Sequence, residues 1–252
     1  MFYYFLKREL KESYLGNITG LSWVFVQPII TLFIYWFVFD KIFQSRIPAD
    51  INDYGFIVYV AIGFWPWIAF SDSLISSINA ITNKEELIGK VKIDLRIIVL
   101  AVISAKYILH VAGYIAIILV LLVFYPNLLS FSLLLIFLPM LQLFVLAVAL
   151  GLMLSALQVF IRDTFQIVST IISLLFFLTP ILYSESIIPE QFKTYIQFNP
   201  LYTPITFIHN TVFKGNDLPW FNLLVLTAVT LIILYYANKL FKKLSPYFED
   251  FK

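Results

Sequence analysis

The chain has 252 residues, of which 61% are hydrophobic, 18% aromatic and only 13% charged, with a mean hydropathy of +0.91 and a net charge of +2. Such a composition excludes a soluble globular domain and leaves an integral membrane protein. So small a net charge argues against nucleic acid as a partner, and with no cysteine there are neither disulfides nor thiolate metal sites.

Apolar runs of about 20 residues, enough to cross a hydrocarbon core of roughly 30 Å, fit best as six spans in one transmembrane domain over 1–252. The expected fold is all-α: six transmembrane helices, an N-terminal amphipathic interfacial helix, and a short-helix outer cap between spans five and six.

Residues 1–15 read as the interfacial helix, because Phe2, Tyr3, Leu6, Leu10 and Tyr14 share one face while Lys7, Arg8, Glu9, Lys11 and Glu12 cover the other. Gly16 and Gly20 bracket the bend into the first span, placed at 21–43. Its apolar run from Leu21 to Phe39 exceeds the h-region of a signal peptide, and no small-residue cleavage site follows. The second span, 55–81, should kink at Pro66, between Trp65 and Trp67. After it, Asn83 and Glu86 form a capping-box variant that opens a short helix ending near Gly89, in a connection also carrying Lys84, Lys90, Lys92 and Arg96.

The third span, 97–124, stops at Tyr125-Pro126-Asn127, and the fourth, 133–157, should bend at Pro139. Between it and the fifth span, 165–182, the stretch Gln158 to Asp163 carries Arg162 and Asp163, which must lie where the chain meets water. The fifth span closes at Thr179-Pro180, since proline lacks the donor that continues the ladder. The outer segment 184–215 holds an amphipathic stretch, Pro189 to Phe198, then a helix from Pro204 to Lys214 with Thr203 as N-cap and Gly215 past its end. The sixth span, 220–240, finishes in Lys239, Lys242 and Lys243.

Basic residues cluster on one side: Lys7, Arg8 and Lys11, the Lys84 to Arg96 connection, Arg162, and the lysines of the tail. The positive-inside rule makes that side cytoplasmic, both termini included, and leaves Lys41, Arg46, Lys193 and Lys214 outside. No internal repeat supports a transporter built on inverted halves.

No enzyme constellation is present. His110 and His209 lie on different elements, no HExxH pattern suggests a metal, and none of the eight glycines builds a phosphate-binding P-loop. Any energy source must therefore come from a partner. Asp72 and Lys106 share a depth of about 14 Å on antiparallel spans, where an unpaired charge is costly, so they are expected to pair, with His110 one turn along the lysine's face. A structural pair needs only these groups, whereas a proton relay needs a longer titratable chain.

Trp23, Tyr35, Trp36 and Phe39 in the first span, and Phe176, Phe177 and Tyr183 in or after the fifth, read either as interfacial belt and lipid-facing bulk or as a passage lining. Aromatic faces stack on the C–H faces of sugars, so such a lining passes a glycan without trapping it. Arg8 and Lys11, with Tyr14 beside them, read either as a site for an anionic lipid headgroup or as ordinary positive-inside anchoring. Lys84, Glu85, Glu86, Arg162 and Asp163 occupy two cytoplasmic turns, as solvated charge or as docking points for an energising partner.

The stretches RELKESYLGNITGLSWVFVQP, GFWPWIAFSDSL and LSALQVFIRDTFQIVSTIISLLFFLTPILYSESIIPEQFKTYIQFNPL resemble the permease subunits of bacterial polysaccharide ABC exporters, the group that exports O-antigens, capsules and teichoic acids. The likeness covers nearly the whole chain. It departs at Ser13, before Tyr14, where a basic residue is expected. The resemblance implies a multi-pass protein of the bacterial inner (cytoplasmic) membrane that pairs with a second copy of itself and with two copies of a P-loop ATPase subunit, which would hold ATP and magnesium. By the same likeness, Lys84 to Gly89 is the main coupling helix, the Arg162-Asp163 turn also touches the ATPase, and Ser184 to Gly215 forms an external gate. The first and fifth spans would line the passage, and an undecaprenyl-diphosphate-linked glycan would enter near residues 1–14 from the cytoplasmic leaflet. Two rival readings are an ABC permease for a lipid or drug and a stand-alone membrane enzyme acting on lipid-linked sugars.

Overall fold

The structure is a computed structural model that describes residues 1–12, 20–42, 55–87, 93–128, 130–213 and 218–251, all helical or loop with no strand among them. Helix α1 (Phe2–Glu12) precedes α2 (Gly20–Tyr35), which runs on into a π-helical segment, Trp36–Ile42. Then come α3 (Phe56–Ile78), a 3-10 segment (Thr82–Leu87), α4 (Arg96–Phe124), α5 (Phe137–Phe160, entered through 3-10 turns at Phe131–Ile136) and α6 (Thr164–Phe177). Two short helices, α7 (Glu190–Gln197) and α8 (Tyr202–Phe213), lead to α9 (Trp220–Leu244). Among the described residues, four helical stretches, Phe56–Ile78, Arg96–Phe124, Ser132–Phe160 and Trp220–Asp250, are long and apolar enough to cross a membrane.

Helix α3 is the axis of the bundle. Val58, Phe64, Trp65, Ala69, Phe70, Leu74 and Ile78 are all buried, and α3 packs on α4, α5, α6 and α8. Several polar groups inside this apolar mass bond to protein, as a medium without water favours. The Trp65 indole donates to the His110 carbonyl at 3.0 Å, Tyr114 to the Ile62 carbonyl at 3.0 Å, and Tyr107 to the Met140 carbonyl at 2.5 Å. Gln142 ties α5 to α9: its amide donates to Thr230 at 2.7 Å and accepts from Thr227 at 3.0 Å.

Close approach at Gly151 sets the α3–α5 spacing. A Cβ there would stand 2.6 Å from the Ser77 hydroxyl and 2.7 Å from the Ile103 methyl, closer than packed atoms tolerate. Gly151→Val is therefore expected to destabilise the bundle by about 1–3 kcal/mol, the usual cost of overpacking. A thermal unfolding midpoint in detergent equal to that of the unsubstituted chain would show that the two helices can part.

The structure changes several sequence-based expectations. The fifth span shortens: α6 ends at Phe177 rather than near residue 182, and its 14 residues rise only about 21 Å, short of a full hydrocarbon core. Pro180 disfavours helix at Thr179. The freed groups find other partners, the Thr179 hydroxyl bonding the Leu175 carbonyl at 2.6 Å and the Asn199 amide reaching Thr179 at 2.8 Å. Pro139 falls in the first turn of α5, where a missing donor costs nothing; the change of helix geometry comes at Ile136 and Phe137 just before it. Asn83 sits inside the 3-10 segment instead of capping it. Helix α8 starts at Tyr202, so Thr203 is inside it, and Asn199 holds its entrance by accepting from the Leu201 amide at 3.0 Å.

The stretch between α6 and α9 divides in two. Helix α7 lies on the surface, with Phe192, Tyr195 and Phe198 exposed, but Tyr202 to His209 of α8 are buried as a wedge against α3 and α5. A Cβ on Gly63 of α3 would stand 2.6 Å from His209, which explains how α8 comes so close.

Candidate functional site

The charged turns gather at one end of the bundle. A polar cavity of about 430 Å³ there is lined by Arg8, Glu9 and Glu12 of α1, by Asn83 and Lys84 of the 3-10 segment, and by Lys106 and Phe165. The Arg96 guanidinium donates to Asn238 at 2.7 Å and to Asp94, joining the start of α4 to α9 at the same end. That guanidinium holds the Asp94 carboxyl below its ordinary range.

Helix α1 docks onto this end by a face shifted from the one its periodicity marks: Leu6 and Leu10 of that face are half-buried, and Lys7, Arg8, Lys11 and Glu12 stay exposed. Phe2, Tyr3 and Tyr4 are exposed, whereas Phe5 is buried and Glu9 is turned inward. The reason is Lys84, whose ammonium forms an ion pair with the Glu9 carboxylate and lies 5.8 Å from the centre of the Phe5 ring. Helix α1 is thereby fastened to the turn that follows α3. Arg8 and Lys11 both stay exposed, Arg8 pairing with Glu12 at 2.5 Å; Tyr14 lies outside the described residues, as do the side chains of Glu85 and Glu86.

The second turn is built by a buried glutamine. Gln158, the last polar residue of α5 before the turn, donates its amide to the Arg162 carbonyl at 3.1 Å and accepts from the Phe165 amide at 2.8 Å. One side chain thus holds a carbonyl of the turn itself and one of the orphan amides in the first turn of α6. Arg162 and Asp163 are left exposed at the tip.

Asp72 and Lys106 face each other across α3 and α4 at 3.4 Å, and His110 comes closer, its Nε2 standing 2.9 Å from the same carboxylate oxygen. Ser76 donates to the other oxygen at 3.2 Å. The His110 Nδ1 is buried without a hydrogen bond, so the aspartate is what orients the ring. Lys106 also lines the 430 Å³ cavity, which leaves the pair about a third exposed rather than sealed in hydrocarbon.

The aromatic residues separate into two sets. Tyr35 stacks on Phe176 at 5.6 Å, Phe176 meets Trp67 at 4.7 Å, and Phe39 stacks on Phe56 at 6.0 Å, a cluster that fastens α2 and α6 to α3. Phe176 is only 5% exposed, so within one chain it is core, and Tyr35, Trp36 and Phe39 are half-buried. Trp23 and Phe177 are exposed. Tyr183 is half-buried, its hydroxyl on the Phe177 carbonyl at 3.0 Å and its carbonyl accepting from Tyr59 at 3.1 Å.

Helix α6 carries an unexpected stripe. Gln166, Thr170, Ser173 and Phe177, at spacings of four, three and four, fall on one exposed face, and beside them Ile167, Ile171, Leu174 and Leu178 form an apolar one. At the opposite end from the charged turns, Tyr202 donates to Glu185, and His209 stacks on Tyr59 with ring centres 4.1 Å apart. Burial and the Glu185 carboxylate raise the Tyr202 phenol above its ordinary range, so it remains the donor.

A comparison with known families decides what this architecture is. Residues 1–213 match the family described as ABC-2 type transporter. The chain belongs to this family. Among its curated relatives, the O-antigen export system permease protein RfbA of Myxococcus xanthus is 27% identical over 248 residues, covering 97% of this chain and 92% of the relative. Two proteins of the same name from Klebsiella pneumoniae are 26% and 27% identical, each covering 96% of this chain and 91% of their own length. The ABC-2 match spans α1 to α8, and so includes the docked helix, both turns and the buried wedge.

Proposed function

We propose that this ABC-2 chain is the channel-forming permease subunit of an ATP-driven exporter that moves a polyprenyl-diphosphate-linked polysaccharide, O-antigen-like, from the cytoplasmic side across the inner membrane. Two copies would form the passage, and two copies of a P-loop ATPase subunit would bind ATP and magnesium. The charged end, with α1, the Thr82–Leu87 segment and the Arg162-Asp163 turn, would face the cytoplasm and the ATPase. Closure of the ATPase pair would push those two turns and shift the spans as rigid bodies. The lipid headgroup would meet Arg8 and Lys11 beside the polar cavity. The O-antigen role named for the relatives supports the class of cargo.

The observation that carries this reading is the stripe of Gln166, Thr170 and Ser173. The Thr170 and Ser173 hydroxyls donate to the Gln166 and Ser169 carbonyls of their own helix, each at 2.9 Å, but their remaining lone pairs and the Gln166 amide gain nothing against lipid tails, and on an apolar helix they are expected to face water, a polar cargo or a second copy. Phe177 and Trp23 add exposed rings to the same two helices, α6 and α2.

Because the chain has no cysteine, single cysteines report cleanly. Thr170→Cys and Ser173→Cys are expected to react with a membrane-impermeant maleimide in the assembled transporter and to lose export on modification. Leu174→Cys, on the apolar face, is expected to react only with a lipid-soluble reagent. Impermeant labelling at Leu174 but at neither polar position would place the passage elsewhere.

A further inference from the structure

A second groove lies between α5 and α9, away from the polar cavity and the stripe. It has a volume of about 610 Å³ and is walled by Leu150 and Met153 on α5 and by Ile232 and Leu240 on α9, with Lys239 and Lys243 at one end. Among the described residues no carboxylate lines it. We propose that this groove is a binding site for an anionic phospholipid of the cytoplasmic leaflet, its acyl chain in the apolar part and its phosphate on the two lysines.

Three features select that occupant. From Ile232 to Lys243 the α9 wall rises about 16 Å, close to half of a hydrocarbon core of roughly 30 Å, so the groove suits a chain confined to one leaflet rather than a long polyprenyl tail. Lys239 and Lys243 stand one turn apart on the same side of α9, and both are exposed, so their ammoniums can reach a single headgroup with no acid of the groove to neutralise them. Tyr236, exposed and one turn before Lys239, adds an amphipathic ring of the kind that settles at the interface. The leaflet assignment rests on the orientation proposed above; the preference for an anionic headgroup does not.

A lipid held here would bridge α5 and α9, whose contact otherwise includes the Gln142 bonds to Thr227 and Thr230. The site would make the stability of the sixth span depend on the charge of the surrounding bilayer.

The test uses the full chain co-expressed with its ATPase, extracted in mild detergent, with phosphatidylglycerol and phosphatidylethanolamine counted per chain by native mass spectrometry. Phosphatidylglycerol is expected to be retained preferentially, and Lys239→Gln/Lys243→Gln to lower that retention about five-fold for each lysine lost. Lys242→Gln removes a neighbouring exposed charge outside the groove and is expected to leave it unchanged. Equal retention of the two lipids, or an equal loss with Lys242→Gln, overturns the proposal. So does a disulfide between copies from Ile232→Cys, which would show that a second chain covers the groove. None of these outcomes depends on export, so failure here leaves the transport reading intact.

Discussion

Asp72→Ala is expected to lower the stability of the bundle by about 2 kcal/mol, read as a fall in the thermal unfolding midpoint of the purified chain. The carboxylate accepts from three directions, Lys106 at 3.4 Å, His110 at 2.9 Å and Ser76 at 3.2 Å. Its loss strands an ammonium inside the membrane, which for a fully buried pair costs about 3–5 kcal/mol. The lower figure applies because Lys106 and Asp72 are each about a third exposed to the polar cavity. Lys106→Met should be milder, since Asp72 keeps its other two donors. Asp72→Leu/Lys106→Leu should recover the share of the loss that comes from the stranded ammonium, since no charge is left unpaired, but not the share from the buried His110 ring, which loses its carboxylate partner. A double variant no more stable than Asp72→Ala would show that the carboxylate is needed for itself and not as a counter-ion.

Gln158→Leu is expected to uncouple the transporter. Its two hydrogen bonds hold the Arg162 carbonyl and the Phe165 amide, and at this half-exposed turn their loss is expected to cost less than the roughly 1–3 kcal/mol of a fully buried unsatisfied group. The turn should then loosen while α5 and α6 persist on their packing. Under the proposed mechanism, ATP hydrolysis by the partner subunits continues and export falls to background. Charge reversal at both Glu85 and Glu86 should give the same phenotype from the other turn. Retention of full export in Gln158→Leu would mean that the Arg162-Asp163 turn transmits no force.

How much of this was legible in the sequence differs from element to element. The third span, expected at 97–124, is the helix Arg96–Phe124, because an unbroken apolar run between charge and proline has only one way to satisfy its backbone. The meeting of Asp72 with Lys106 followed from depth alone, on neighbours joined by a short connection. The docking of α1 did not follow from its periodicity, because the residue that turns Glu9 inward is Lys84, far away in the chain. Pro180 marks where α6 must stop, but nothing near Thr179 announces that Asn199 will donate to its hydroxyl. Gln158 stood at the start of the charged stretch, but its bond to the Phe165 amide appears only once the two helix ends converge. The stripe of Gln166, Thr170 and Ser173 was readable at helical spacing and was hidden by the apolar residues between them.

The most direct test of the central claim is ATP hydrolysis by the purified complex, measured with this chain alone and with its co-expressed ATPase, with and without a polyprenyl-diphosphate-linked glycan. A silent lone chain and, in a two-fold symmetric complex, hydrolysis stimulated by the glycan are the expected results. A chain that co-purifies with no ATPase and by itself chemically alters the lipid-linked sugar would contradict the claim.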